Sequence, residues 1–496
     1  MEDIKKILKV LNTKKLRKTL EEEDSSGKNE LLVKFYHGCI SGTFHDDKEA
    51  SEALYSTTPD DNRYQILKSR VKHRLFEDLL YCNFSSKTNL SYEAFVIESQ
   101  KIVVSCRLLL GFGVKEVAID ELKKILKKAE SYSATEVAID CNRMLKDYYW
   151  FKGDTKEFDS YTLALRRSIL QLNDEIRAEE LHEQIAFPFT QQKTPSTRLK
   201  EISHIYKREL DGLRRRTSTY RVQIAYFRFN IIYSQIHERY YRVVNQCTNF
   251  ENYLESIPIP VSESLLGECA LSKAEAHLYV RQYKESQQWI EAALSLFPEK
   301  GSNWYNTQKL HFMILIHQEK IDEAGILLYE VINSRYFKTA TEAYREEWLI
   351  YESYFRLLLR FLYRQNGNRV HDDSSYSFYK FLNEVPLYSH DKQGANISIL
   401  ILHVLWLLQE QNYSKLIEFQ KSIENYSSRY LNGDDSQSRS SIFLSLLLVY
   451  LRCDFDFKKS EEKGSVLIQK LMDMSTNTLV DPMEVVQFER LWVLIK

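Results

Sequence analysis

The chain has 496 residues, 44% hydrophobic and 28% charged, with a formal net charge of −1. Such a composition can bury enough apolar surface to offset its ordering entropy, which excludes general disorder, and the balanced charge excludes a whole-surface attraction to nucleic acid or anionic membrane. Only 14 glycines and 8 prolines occur, where average usage would give roughly 35 and 25; a sandwich or barrel needs more turn chemistry than that, so the composition predicts an all-α fold of several domains or one long array.

The opening segment, MEDIKKILKVLNTKKLRKTL, reads as an amphipathic helix with charges throughout. It lacks the uninterrupted apolar core of a signal peptide. The seven cysteines stand singly, without a C-x-x-C pair. Reduced, mostly buried thiols in a cytoplasm are expected. His37, Cys39, His45 and Asp46 are residue types that zinc accepts, but H-x-C-x5-H is no zinc spacing, and Gly38 and Gly42 predict a turn there. A helix is predicted from about Asn62 to Leu80. Residues 1–90 form a distinct N-terminal helical segment without repeat signature.

Residues 91–186 read as degenerate helical hairpins. VKEVAIDELKKILKKA, from Val114, and DTKEFDSYTLALRRSI, from Asp154, have the pattern of second helices. Ser133 with Glu136 forms a predicted capping box. FPFTQQKTPSTR, from Phe187, carries two prolines and polar filler and predicts a linker. Beyond it, residues 198–221 are locally basic. Arg208, Arg214, Arg215 and Arg216 are the candidates there for holding an anion or an acidic partner segment. The competing reading is a solvated helix face neutralised by acidic neighbours.

Residues 198–496 carry the clearest helical periodicity. Tyr220, Ile224, Phe227 and Ile231 share one face, as do Trp348, Tyr351, Phe355, Leu358 and Leu362. Thr339 with Glu342 is a second predicted capping box. A break is predicted between Gly367 and Ser375. The apolar runs Ile397–Leu408 and Ile442–Leu451 are too short to span a bilayer, which takes ~20 residues, and read as core helices.

The stretch ALSKAEAHLYVRQYKESQQWIEAALSLFP, Ala270 to Pro298, resembles a tetratricopeptide repeat. Ala274 and Ser286 stand at the small positions where paired helices approach. Tyr283 stands at the aromatic position of the turn, Ala293 at the late small position, and Pro298 at the end. Ala324, in KIDEAGILLYEVI, corresponds to a small position of a neighbouring unit, and Tyr240 and Tyr413 correspond to Tyr283. The resemblance implies a right-handed α-α superhelix, a solenoid whose concave groove binds a peptide or a protein partner.

No catalytic signature accompanies it. His182 and His237 each begin an H-E pair without the second histidine a helical zinc protease needs, and phosphate-loop and nucleophile-elbow patterns are missing from the sequence. The expectation is a non-enzymatic binding scaffold without cofactor, metal or membrane. A signal-responsive regulator with residues 1–90 as effector is the second reading, and a nucleic-acid-binding helical repeat using the basic stretch is the third.

Overall fold

The computed structural model describes residues 1–11, 30–80, 91–191, 197–365, 376–385, 395–430, 438–477 and 484–496. Among them there are 24 helices and no strand. Two compact units form, one from residues 1–129 and 140–153, the other from residues 130–139 and 154–496.

In the first unit lie α1 (Glu2–Val10), α2 (Glu30–Ser41), α3 (Asp47–Tyr55), α4 (Asn62–Leu80), α5 (Tyr92–Gly111) and α6 (Lys115–Tyr132, up to residue 129). The helix α4 spans the predicted residues, and Tyr64, Leu67, Val71 and Leu75 line its buried face at helical spacing. They pack with Ile4, Leu8, Val33, Phe35 and Phe44 in one core. Gly38 is needed there, since a Cβ on it would lie 2.1 Å from the Phe44 ring. Asp47 ties three elements together. It accepts from the Met1 ammonium at 3.0 Å, the Tyr64 hydroxyl at 2.6 Å and Lys68 at 2.7 Å. The helix α7 (Thr135–Lys152) carries its residues from 140 onward in this unit.

The second unit continues with α8 (Thr155–Gln191), α9 (Thr197–Arg216), α10 (Tyr220–Ile236), α11 (Tyr240–Ser256), α12 (Glu263–Tyr279), α13 (Tyr283–Leu296), α14 (Ser302–His317), α15 (Ile321–Ile332), α16 (Arg335–Thr339) and α17 (Glu342–Gln365). Then come α18 (Phe378–Glu384), α19 (Ala395–Gln409), α20 (Tyr413–Tyr430), α21 (Arg439–Arg452), α22 (Phe457–Lys463), α23 (Ser465–Asn477) and α24 (Phe488–Ile495). Packing follows chain order from α8 through α17, each helix lying against the next or the next but one. One large core runs from Ala274 to Leu494. Both apolar runs, in α19 and α21, lie in it, as do Trp348, Tyr351, Phe355 and Leu358 of α17.

A single turn geometry recurs. Gly113, Glu238, Arg281, Glu319 and Gln411 all have positive φ, between 55° and 82°. Each stands two residues before the next helix begins, at Lys115, Tyr240, Tyr283, Ile321 and Tyr413. The amide after each bonds back five residues, as Gln282 N–H does to the His277 carbonyl at 2.8 Å and Lys320 N–H to Leu315 at 2.9 Å. This left-handed cap closes the last carbonyls of the preceding helix, and glycine is its usual occupant. Here four of the five are Glu, Arg, Glu and Gln.

Three local expectations are corrected. Helix α8 runs through Pro188 to Gln191 where a linker was expected from Phe187. Ile185 and Phe189 pack into the core of α8, α9 and α10, and this anchoring outweighs the amide that proline lacks. Residues 192–196 of that stretch, with Pro195, lie outside the described residues, as does the break at 367–375. Ser133 is not a cap: it has φ 53° and lies two residues before α7. Thr339 ends α16, its hydroxyl donating to the Arg335 and Tyr336 carbonyls, so it cannot cap α17.

Candidate functional site

Helices α12 and α13 pack together as a hairpin. Ala274 and Ser286 are fully buried, and the Ser286 hydroxyl donates to the Ala274 carbonyl at 2.6 Å. Ala293 is fully buried beside Ala270 and Phe297. Pro298 follows the Phe297 cap of α13, and Ala324 is buried in α15. Small residues at these places let the helix axes draw close.

Tyr283 does more than fill its turn. Its hydroxyl lies 3.2 Å from His317 Nδ1, at the end of α14, and accepts from Gln487 Nε2 at 3.1 Å. On its other edge His317 Nε2 lies 2.9 Å from the Glu484 carbonyl oxygen. A carbonyl can only accept, so Nε2 carries the proton and Nδ1 receives the tyrosine O–H. Burial lowers the affinity of His317 for a second proton, with Glu484 opposing, so the ring stays neutral. The result is a directed relay from Gln487 through Tyr283 and His317 to the Glu484 backbone.

Beside it Arg439, the first residue of α21, is 2% exposed. Its Nε and Nη2 both meet the Glu484 carboxylate at 2.8 Å, Nη2 also donates to Glu489 at 2.7 Å, and Nη1 donates to the Leu471 carbonyl at 3.0 Å. Burial alone would raise the Glu484 carboxyl, but the Arg439 fork, with the Phe488 amide, holds it below the usual glutamate value. Arg281, the left-handed turn residue, comes within 3.8 Å of Glu489, and Arg490 within 3.5 Å of Glu319. Residues 484–496 are thus gripped by helix ends that lie up to 204 residues away in sequence.

The predicted arginines do not converge. Arg214 stacks on Tyr226, 4.0 Å from its centroid, and donates to Gln223. Arg216 makes a two-pronged bond to Asp174 of α8, at 3.1 and 2.6 Å. Arg208 and Arg215 are exposed and form no ion pair among the described residues. Nearby, Arg221 grips Glu179 in the same forked way. Acidic residues of α8 thus take up Arg216 and Arg221.

Other chemistry-bearing groups are employed locally. Asp46 caps α3 through the Lys48 and Glu49 amides, the buried Cys39 thiol donates to the Met1 sulfur, and among the described residues no three His, Cys, Asp or Glu side chains group as a metal site. Ser203 Oγ lies 3.0 Å from His237 Nε2, but it is fully buried and donates to the Lys200 carbonyl. The imidazole therefore donates to the hydroxyl, and no nucleophile is presented. Six cysteines are buried and free, and Cys82 lies outside the described residues. Among the described residues no helix is long and apolar enough to cross a membrane. Comparison of the chain with protein-family models, with curated proteins and with solved structures finds no match.

Proposed function

We propose that this chain is a non-enzymatic helical-repeat scaffold, a solenoid of tetratricopeptide-like hairpins that binds a peptide or a segment of a protein partner. The observation that carries this reading is that side chains at three helix ends, Tyr283, His317 and Arg439, together hold a sequence-distant stretch of the same chain through its backbone, its Gln487 amide and the carboxylates of Glu484 and Glu489. Directed hydrogen bonds and a charged fork beside aromatic anchors are the chemistry of peptide recognition. The pairing of Arg216 and Arg221 with acidic residues favours this over the nucleic-acid reading. The test is affinity purification of the full chain from its native host at moderate salt. The expected result is a protein partner retained after nuclease treatment; retention that nuclease abolishes would overturn the proposal.

A second reading, a regulator whose N-terminal part is the effector, is favoured by the separate core built by residues of α1 to α4 with Met1, Leu11 and Phe44. Deleting residues 1–90 should then leave the helices from α8 onward folded while abolishing the cellular output.

A further inference from the structure

Residues 484–496 meet the same helix ends that a bound peptide would use in the reading above, and the fit carries a more specific conclusion, which rests on that reading. Its apolar anchors are large and sit on a prepared wall. Phe488 stacks on Phe443 with centroids 4.7 Å apart, and Trp492 stacks on Phe457 at 5.0 Å with Tyr450 at its edge. Its polar handles are met by Arg439, His317 and Tyr283, none of which neighbours the segment in sequence.

The fit is also incomplete. The Trp492 indole N–H, Arg281 Nε and Nη2 and Glu489 Oε2 are buried without a hydrogen-bond partner among the described residues. Arg281 stops at 3.8 Å from Glu489, too far for a hydrogen bond. Buried polar atoms left unmet cost stability, so an occupant that reached Arg281 would form bonds that this segment forgoes.

We propose that residues 484–496 are a built-in, displaceable ligand of the face made by Tyr283, His317, Arg439 and the aromatic wall, and that the external partner is an amphipathic helical segment of a protein with two carboxylates placed as Glu484 and Glu489 are and aromatic residues placed as Phe488 and Trp492 are. The tail and the partner compete for one site, so the free chain is held in a closed state. Affinity for the partner is reduced by the fraction of chains whose tail is seated.

Hydrogen exchange of the full chain, read by mass spectrometry, compares the amides of residues 488–495 with those of α14. A displaceable segment opens by itself and exchanges at least about tenfold faster than α14. Equal protection, with both released only on global unfolding, overturns the proposal. A second measurement uses the full chain with a specific-protease site placed in residues 478–483, cut after folding. A labelled synthetic peptide of residues 484–496 should replace the cut segment, and the same peptide with Glu484→Gln and Glu489→Gln should bind at least about tenfold more weakly. No replacement, or collapse of the protein once the segment leaves, also overturns it. Either failure leaves the scaffold reading standing, because that fails separately, by the retention experiment on the uncut chain.

Discussion

Replacing Arg439 by Met gives the sharpest test of how the second unit is held together. The guanidinium is 2% exposed and serves two carboxylates and a carbonyl, with Glu484 fully buried. Methionine keeps the packing of the aliphatic stem and carries no charge, so it strands Glu484 and Glu489. Removing one partner of a buried ion pair costs about 3–5 kcal/mol, because the remaining charge stays desolvated. The cost should itself depend on pH. Without Arg439, burial is left to dominate Glu484, and its folded-state pKa moves from below the unfolded value to above it. The penalty is then largest at pH 8, where the carboxylate must stay charged, and shrinks as pH falls toward the unfolded glutamate value. Urea denaturation at pH 5 and pH 8 measures it, following the second unit's tryptophan fluorescence. Adding Glu484→Gln and Glu489→Gln to Arg439→Met should recover most of the loss. A cost under about 1 kcal/mol, the size of an exposed ion pair, together with no pH dependence, would refute the reasoning and show the cluster to be hydrated.

Gln411→Gly should stabilise the chain by about 1 kcal/mol, because glycine tolerates the φ of 55° that glutamine must be forced into; Gln411→Ala, measured in the same denaturation assay, should not. Ala293→Trp should destabilise by about 1–3 kcal/mol through overpacking of a fully buried position between α12 and α13, and an unchanged melting curve would count against that packing. Burial pushes His182 and His237 down to about 4 and lowers His311, His317 and His403 as well. The unfolded chain binds protons that the folded chain refuses, so stability should fall as pH drops from about 6.5, by up to ~1.4 kcal/mol per pH unit per fully buried histidine and less where the ring is partly exposed. Glu175 and Glu275, raised by burial, act in the opposite sense at the acid end, and melting temperatures at pH 7.5 and 5.5 should show the histidines prevailing. Arg215→Glu should leave folding within about 0.5 kcal/mol, whereas Arg216→Glu should cost more by setting a carboxylate against Asp174, so the two separate an exposed charge without an ion pair from an exposed charge with one.

The all-α class was legible because it is written in local spacing. The face of Trp348, Tyr351, Phe355 and Leu358, and the span of α4, follow from apolar periodicity alone. Tyr240, Tyr283 and Tyr413 were readable as turn positions, and each opens a helix. The failures are where tertiary packing overrides a local signal. Pro188 reads as a breaker, yet Ile185 and Phe189 keep its helix intact. Ser133 and Thr339 satisfy a capping pattern two and three residues before the true helix starts. The site around Arg439 was not legible at all. Arg439, Glu484 and His317 look like ordinary helix-end residues, and only the folded chain brings partners 45 and 167 residues apart together. Nor do Glu238, Arg281, Glu319 and Gln411 announce a left-handed turn, since the glycine that would mark one is missing.

Those turns have a consequence for how the chain can vary. A connection that fixes backbone shape but accepts glutamate, arginine or glutamine leaves no required letter between one helix pair and the next. What is held constant is a count, one left-handed residue and one more before the following helix. Such places are seams. Side chains can vary at such a seam while the count stays, except where the helix it opens carries further duties, as the one after Gln282 does through Tyr283 and Ser286.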